Sequence, residues 1–171
     1  MTVLKEIWER ASVRRYKPDP VPADALQEIL RAAMHAPTAN NARPWHIVVV
    51  TDPTAREKLG KVHQWAAFCA ESPVVLAFCG DPAKSEHWWI EDCCAAVENA
   101  MIEAVSHGLG TCWIGIRGSE ATGMQREEVV REVLGIPESI RVLALVSLGY
   151  PADQPSPKGP GPMSAVHRER W

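Results

Sequence analysis

The sequence predicts a mixed fold in which helices and strands alternate along a single domain, residues 1–171, of α+β or α/β type. Three observations carry that prediction. Short β-branched runs, "HIVVV" at 46–50, "PVVLAFCG" at 73–80 and "IRVLALVSLGY" at 140–150, read as buried strands. Segments with a 3.6-residue apolar period fall between them. A long and almost wholly apolar helical segment, residues 87–107, lies near the middle of the chain.

The elements follow in order. Leu4, Ile7, Trp8 and Ala11 recur at i, i+3, i+4 and i+7, which predicts an amphipathic helix from residue 2 to about residue 12. Prolines 18, 20 and 22 then enforce an extended link. Leu26, Ile29, Leu30, Ala33 and Met34 restart the helical period, and Pro37 ends it. After the strand at 46–50, Asp52 and Pro53 open a helix expected to reach about Phe68. The segment 87–107 carries Trp88, Trp89, Ile90, Cys93, Cys94 and further apolar residues to Val105, leaving only a narrow polar stripe. Such a helix needs cover on nearly all sides, and in a domain this small a second subunit is the expected cover. Gly108 is placed just past its end, in the left-handed conformation. "TCWIGI" at 111–116 predicts a strand, and a helix from about Gln125 to Leu134 is stopped by Gly135. The tail, 151–171, has five prolines and two glycines in its first dozen residues and is expected to run extended over a surface.

Charge and motifs narrow the function. A formal net charge of −3 disfavours a dedicated nucleic-acid binder. No apolar run approaches the ~20 residues that span a bilayer. The start, "MTVLKEIWERA", interleaves charge with apolar residues, unlike a secretory leader. Five cysteines, without CxxC spacing, read as reduced and mostly buried thiols of a cytoplasmic protein. A thiol redox role for adjacent Cys93 and Cys94 is disfavoured because their helix is expected to be buried. The six histidines show no metal-ligand spacing. There is no GxxxxGK[ST], GxSxG or HExxH, and "GLGTCWIG" sets its glycines between a helix and a strand, the reverse of a dinucleotide fingerprint. Chemistry supplied by a bound cofactor is the remaining expectation, with no side chain singled out as acid or base.

Two segments bear on which cofactor. "ERASVRRYKPDPVP", 9–22, packs Arg10, Arg14, Arg15 and Lys17 around a predicted helix C-terminus. The backbone there carries the negative pole of the helix dipole, so any phosphate must be held by side chains, and two guanidiniums with a hydroxyl suffice. The other reading is solvated cations capping a helix end. "HAPTANNARPWHIVVV", 35–50, joins a helix end to a strand through a loop without bulky side chains. It reads as an ordinary connector or as a surface that a flat ring can approach.

Together, "RASVRRYKPDPVP", "APTANNARPWHIVVV", "GLGTCWIG" and "LVSLGYP" occur in the order and spacing of the nitroreductase-like flavoprotein family, and the resemblance covers nearly the whole chain. It implies an α+β fold with a mostly antiparallel sheet surrounded by helices, in an intertwined homodimer with FMN at the subunit interface. It implies that Arg10, Ser12 and Arg14 meet the phosphate and the pyrimidine side of the flavin. Pro37, Thr38, Ala39 and Asn41 of the other subunit line the ring. Trp113, Ile114 and Gly115 lie beside it with a backbone N–H near N5. Lys158 resembles the late basic residue that closes over the phosphate, and Gln64 matches an amide facing the pyrimidine. The implied reaction is ping-pong hydride transfer from NAD(P)H to an electron-poor small molecule: a nitroaromatic, quinone or enone. Other flavin reactions of the fold, such as reductive dehalogenation or flavin breakdown, and a flavin carrier or sensor are the alternatives. The chain departs from the family at Arg43, where Gln is frequent. At Lys158, Gly159-Pro160 follows instead of a denser basic motif, leaving Arg168 or Arg170 as substitutes. It also lacks the insertions of longer relatives, and an open pocket is expected.

Overall fold

Two strands of this chain are apolar on both faces, and the architecture follows from covering them. The computed structural model describes residues 3–118 and 120–171. Strands β1 (Trp45–Val50), β2 (Val74–Gly80), β3 (Gly110–Gly115) and β4 (Arg141–Gly149) form one sheet in the order β1-β2-β4-β3. Every pairing is antiparallel. With helices on both faces the fold is α+β, which decides between the two classes that periodicity left open. Every residue of central β2 is buried, so its sequence reads as a continuous apolar run instead of an alternation.

Alternation reappears in what each side chain meets. Val74, Leu76 and Phe78 of β2, with Ala144, Val146 and Leu148 of β4, pack against α2 (Ala23–Met34) and α4 (Trp89–Ser106). Val75, Ala77 and Cys79, with Val142 and Leu145, join the opposite core, which Leu59 of α3 (Pro53–Leu59) and Val130 of α5 (Glu120–Leu134) close. Phe78 pairs with Ala144 but Cys79 with Val142, so Leu143 is the extra residue of a β-bulge. Its carbonyl accepts the backbone N–H groups of both Ile116 and Arg117, each at 3.2 Å. The bulge therefore fixes the chain as it leaves β3.

The helix boundaries have local causes. Asp52 caps α3 by accepting the Ala55 N–H at 2.8 Å. Gly108, at φ 69°, ends α4 in a Schellman motif: Leu109 N–H donates to the Ala104 carbonyl and Gly108 N–H to that of Val105, both at 2.9 Å. Gly135, at φ 65°, ends α5, as the sequence predicts. Two helices are shorter than their periodicity implies. Helix α1 spans only Lys5–Glu9, because Val13 N–H donates to the Thr111 carbonyl at 2.9 Å and draws residues after Arg10 onto the edge of β3. Helix α3 stops at Leu59, short of Phe68, and turns lead to a 3-10 segment at Ala67–Cys69. Helix α5 starts earlier than expected, at Glu120.

Apolar residues of α1 stay largely exposed: Leu4 is 68% and Trp8 55% exposed. Helix α4 buries Cys93, Ala96, Val97, Ala100 and Ala104, yet Ile90, Cys94, Ile102 and Val105 are only half-buried and Trp88 is exposed. From Ala152 onward the tail is exposed throughout. Among the described residues, no helix is long and apolar enough to cross a membrane.

One buried charge ties α5 to the sheet. Glu127 accepts a two-pronged contact from Arg141, Nε at 2.7 Å and a terminal nitrogen at 2.8 Å, and the Val142 N–H at 2.9 Å. Burial alone would push its pKa up; the guanidinium and the amide outweigh it and hold the carboxyl below its ordinary value. Glu127→Ala, which strands Arg141, is expected to cost about 3 kcal/mol in urea unfolding. The acid dependence has a definite sign. A depressed folded pKa means the contribution is complete above the unfolded value near about 4.3 and is lost as pH falls through the lower folded value. Stability measured against pH should therefore lose this acid limb in Glu127→Gln; an unaltered limb would show that Glu127 does not supply it.

Candidate functional site

Arg10 caps the end of α1, its N–H donating to the Glu6 carbonyl at 3.0 Å. Beyond it the chain lies alongside β3, with Val13 buried and Ser12 and Arg14 exposed, as strand alternation requires. Gly110 makes this approach possible: a Cβ there would stand 2.5 Å from Val13 Cγ2. Arg10, Ser12 and Arg14 line one cleft of about 580 Å³ together with Lys158, which the tail brings over Ile7 and Trp8 of α1. Arg168 and Arg170 do not line it. Glu98 of α4 orients Arg10, with Oε1 3.6 Å from Nε. Three cations and a hydroxyl in one concavity at the negative end of a helix form a donor set that fits a phosphate dianion.

Arg14 also lines a second cleft, of about 340 Å³, where Trp113, Ile114 and Gly115 of β3 form one wall. His63, Trp65, Phe68, Cys112, Arg117 and Arg126 complete it. A third cleft of about 470 Å³ holds Lys61, Val62, Gln64, Gln125 and Val129 and shares His63 and Arg126 with the second. The three make a trough linked by common residues. Within it the structure joins Arg10, Ser12, Arg14 and Lys158, and through Arg14 reaches Trp113–Gly115. Gln64 sits one cleft further on. Thr111 offers its carbonyl to Val13 at the outer edge of β3, so the two-residue repeat turns the N–H groups of Trp113 and Gly115 to that same open edge.

Pro37, Thr38, Ala39 and Asn41 are not part of this trough in the same chain; they form the connector from α2 to β1. The connector is held in an unusual shape. Asn40, Asn41 and Arg43 have φ of 52°, 55° and 48°, a region that asparagine tolerates better than other side-chain-bearing residues. Arg43 stays there because its N–H donates to Thr38 Oγ1 at 3.2 Å and its Nε to Asn41 Oδ1 at 2.9 Å. Asp92 anchors the loop from below. This buried carboxylate accepts the Ala39 N–H at 2.9 Å and the Ser85 hydroxyl at 3.0 Å. Sequence reasoning missed Asp92. The available signal was the pair of acids, Glu91 and Asp92, in the first turn of a mostly apolar helix, where the dipole favours negative charge.

The thiols are unsuited to nucleophilic work. Burial pushes Cys93 up to about 12, and Cys94 is raised chiefly by burial and then by Glu91. Both stay protonated near neutrality. Among the described residues, no cluster of His, Cys, Asp or Glu could hold a metal ion.

Comparison with known proteins converges on one family. The profile of the nitroreductase family matches residues 7–71 and 61–150. A protein of Archaeoglobus fulgidus, provisionally named an NADH dehydrogenase/NAD(P)H nitroreductase, is 35% identical over 98% of each chain. A Parabacteroides distasonis crystal structure with the same provisional name superposes with TM-score 0.93, at 33% identity over 98% of each chain. An FMN-dependent nitroreductase of Clostridium difficile superposes with TM-score 0.90, at 26% identity over 99% of this chain and 100% of its own. The loop itself provides a check on the anchoring role of Asp92. Asp92→Ala is expected to cost about 2 kcal/mol, from the lost charge-assisted bonds to Ala39 and Ser85. Faster amide exchange at Ala39 should accompany the loss, and unchanged exchange there would contradict the anchor.

Proposed function

The chain belongs to the nitroreductase family of oxidoreductases, and from that premise we propose that it is an FMN-dependent enzyme taking electrons from NADH or NADPH. The observation that carries the proposal is the meeting of Arg10, Ser12, Arg14 and Lys158 in one cleft that Arg14 connects to the open edge of β3. The donor set fits the FMN phosphate, and the cleft beyond Arg14 has the flat wall of Trp113–Gly115 that a ring needs. Bound there, FMN would supply the two-electron chemistry of a ping-pong hydride transfer from a nicotinamide to a nitroaromatic, quinone or enone.

The chain's own groups bind and orient. Arg10 and Lys158 neutralise the phosphate, and the Ser12 hydroxyl donates to it. Glu98 holds the Arg10 guanidinium so that its terminal nitrogens remain available. Arg14, between the two clefts, sets positive charge at the pyrimidine edge, where it favours the reduced and more negative cofactor. The N–H groups of Trp113 and Gly115 present fixed donors along the ring edge at no cost in reorganisation. Gln64 reaches the far end of the trough as an amide partner.

The second subunit completes the site in this proposal. Uncovered apolar residues of α1, the half-buried stripe of α4 and a tail with exposed Met163, Val166 and Trp171 need a partner surface. A homodimer supplies that cover, and it brings the Pro37–Asn41 connector of one chain to the trough of the other. Light scattering is expected to give about twice the 18.8 kDa chain mass; a stable monomer contradicts the shared site. The purified protein is expected to show a flavin absorbance spectrum that bleaches promptly on anaerobic addition of NADH or NADPH. Bound flavin that stays oxidised points instead to a carrier or sensor. Arg10→Ala and Arg14→Ala should each be purified with little flavin, and full occupancy in both removes the phosphate assignment.

A further inference from the structure

The second cleft carries positive charge that the proposed flavin contacts do not use. Its described lining contains three guanidiniums, those of Arg14, Arg117 and Arg126, and the His63 imidazole, with no carboxylate among the described residues, in a chain whose net charge is −3. Arg14 is accounted for by its place beside the phosphate cleft. Arg117 and Arg126 are not, and the fold holds both on rigid supports. The bulge at Leu143 takes the Arg117 N–H, fixing its backbone at 3.2 Å. Arg126 precedes Glu127, whose lock on Arg141 and Val142 pins that turn of α5 to β4. Like charges converging on a concavity repel one another, so their placement by a bulge and a buried ion pair indicates a site prepared for an anion.

His63 adds a third donor. Its Nδ1 accepts the Trp65 N–H at 3.0 Å, which leaves the proton of the neutral ring on Nε2. Burial, and then the Arg126 charge, keep its pKa below the ordinary value, so the ring is neutral at pH 7 and does not add to the repulsion. Trp65, 71% exposed at the same cleft, offers a flat apolar face beside these donors. A planar molecule carrying a negative group satisfies both features at once.

We propose that Arg117, Arg126 and His63 form an anion-recognition site for the substrate, holding a phosphate or carboxylate of a planar molecule that lies against Trp65 and the ring end of the trough. This rests on the oxidoreductase reading above and adds the class of substrate. The anion has two possible sources, the 2′-phosphate that distinguishes NADPH from NADH, or an acidic group on the acceptor.

Steady-state kinetics on the flavin-loaded protein and on Arg117→Ala, Arg126→Ala and Arg126→Gln separate them. The donor pair NADPH and NADH is measured with a neutral quinone, and the acceptor pair 4-nitrobenzoate and 4-nitrobenzyl alcohol with one fixed donor. The expected result is that each variant lowers the anionic-to-neutral ratio of kcat/KM about tenfold in one pair, the scale of one charge-assisted contact. Raising the salt concentration should lower the wild-type ratio in the same direction. A change in the donor pair assigns the site to the 2′-phosphate, and a change in the acceptor pair assigns it to an acidic acceptor. Ratios unchanged within twofold in both pairs overturn the proposal, as does loss of flavin from the Arg117 and Arg126 variants, which would make them cofactor residues. Equilibrium dialysis of 4-nitrobenzoate against 4-nitrobenzyl alcohol, and of NADP⁺ against NAD⁺, reads the same selectivity without turnover. Failure of the oxidoreductase reading, seen as flavin that no nicotinamide reduces, therefore remains distinct from failure of the anion site, seen as dialysis without charge preference in either pair.

Discussion

The constraint on which the rest of this structure depends is the two-sided burial of the β2–β4 ladder. Seven consecutive residues of β2 are out of solvent, and β4 is almost as deeply placed. Each large apolar side chain buried there contributes roughly 1.5–3 kcal/mol, but only if both faces are covered. Helices α2 and α4 cover one face, α3 and α5 the other. With β2 and β4 in the centre, β3 is left as an edge strand. An edge has unpaired backbone groups to satisfy, and the chain satisfies part of them by laying Ser12–Arg14 alongside. The cations of that segment thus reach the β3 wall because the sheet has an edge to fill.

The bulge at Leu143 is a second consequence of the same ladder. By inserting one residue it changes the register between Phe78 and Cys79 and turns a carbonyl toward the end of β3. That carbonyl collects two N–H groups and directs the chain, with Arg117, to the mouth of the trough. Glu127 does the equivalent work on α5. Its three accepted hydrogen bonds satisfy a carboxylate that would otherwise be costly to bury, and the residue before it is placed at the cleft as a result.

Legibility followed the range of the forces involved. The strands at 45–50, 74–80, 110–115 and 141–149 were readable because β-branched runs are a local signal, and the glycines at 108 and 135 because only a left-handed residue ends a helix in that way. The resemblance assigned Arg10, Ser12, Arg14 and Lys158 to a phosphate, and the structure lines one cleft with all four. The lengths of α1 and α3 were not legible. Leu4, Ile7, Trp8 and Ala11 keep a helical period up to the residue at which a strand edge elsewhere in the chain competes for the backbone, and no local pattern reports that competition. Asp92 was missed for a related reason, since the groups it satisfies, Ala39 N–H and Ser85 Oγ, come from separate loops.

By itself the sequence determined which segments become helices and strands, that the central ones are buried, and that an acidic chain concentrates cations in one segment. These properties follow from side-chain shape, solubility and charge, which each residue carries wherever it lies. Tertiary structure alone decided the strand order β1-β2-β4-β3 within the antiparallel sheet that the family resemblance implies, and that Arg14 bridges two clefts. It also decided that His63, from a distant part of the chain, lines the same cleft as Arg117 and Arg126. Those outcomes depend on which buried surfaces find one another and on where a bulge or a buried ion pair fixes the backbone. Such choices are made between segments, and no single stretch of sequence contains them.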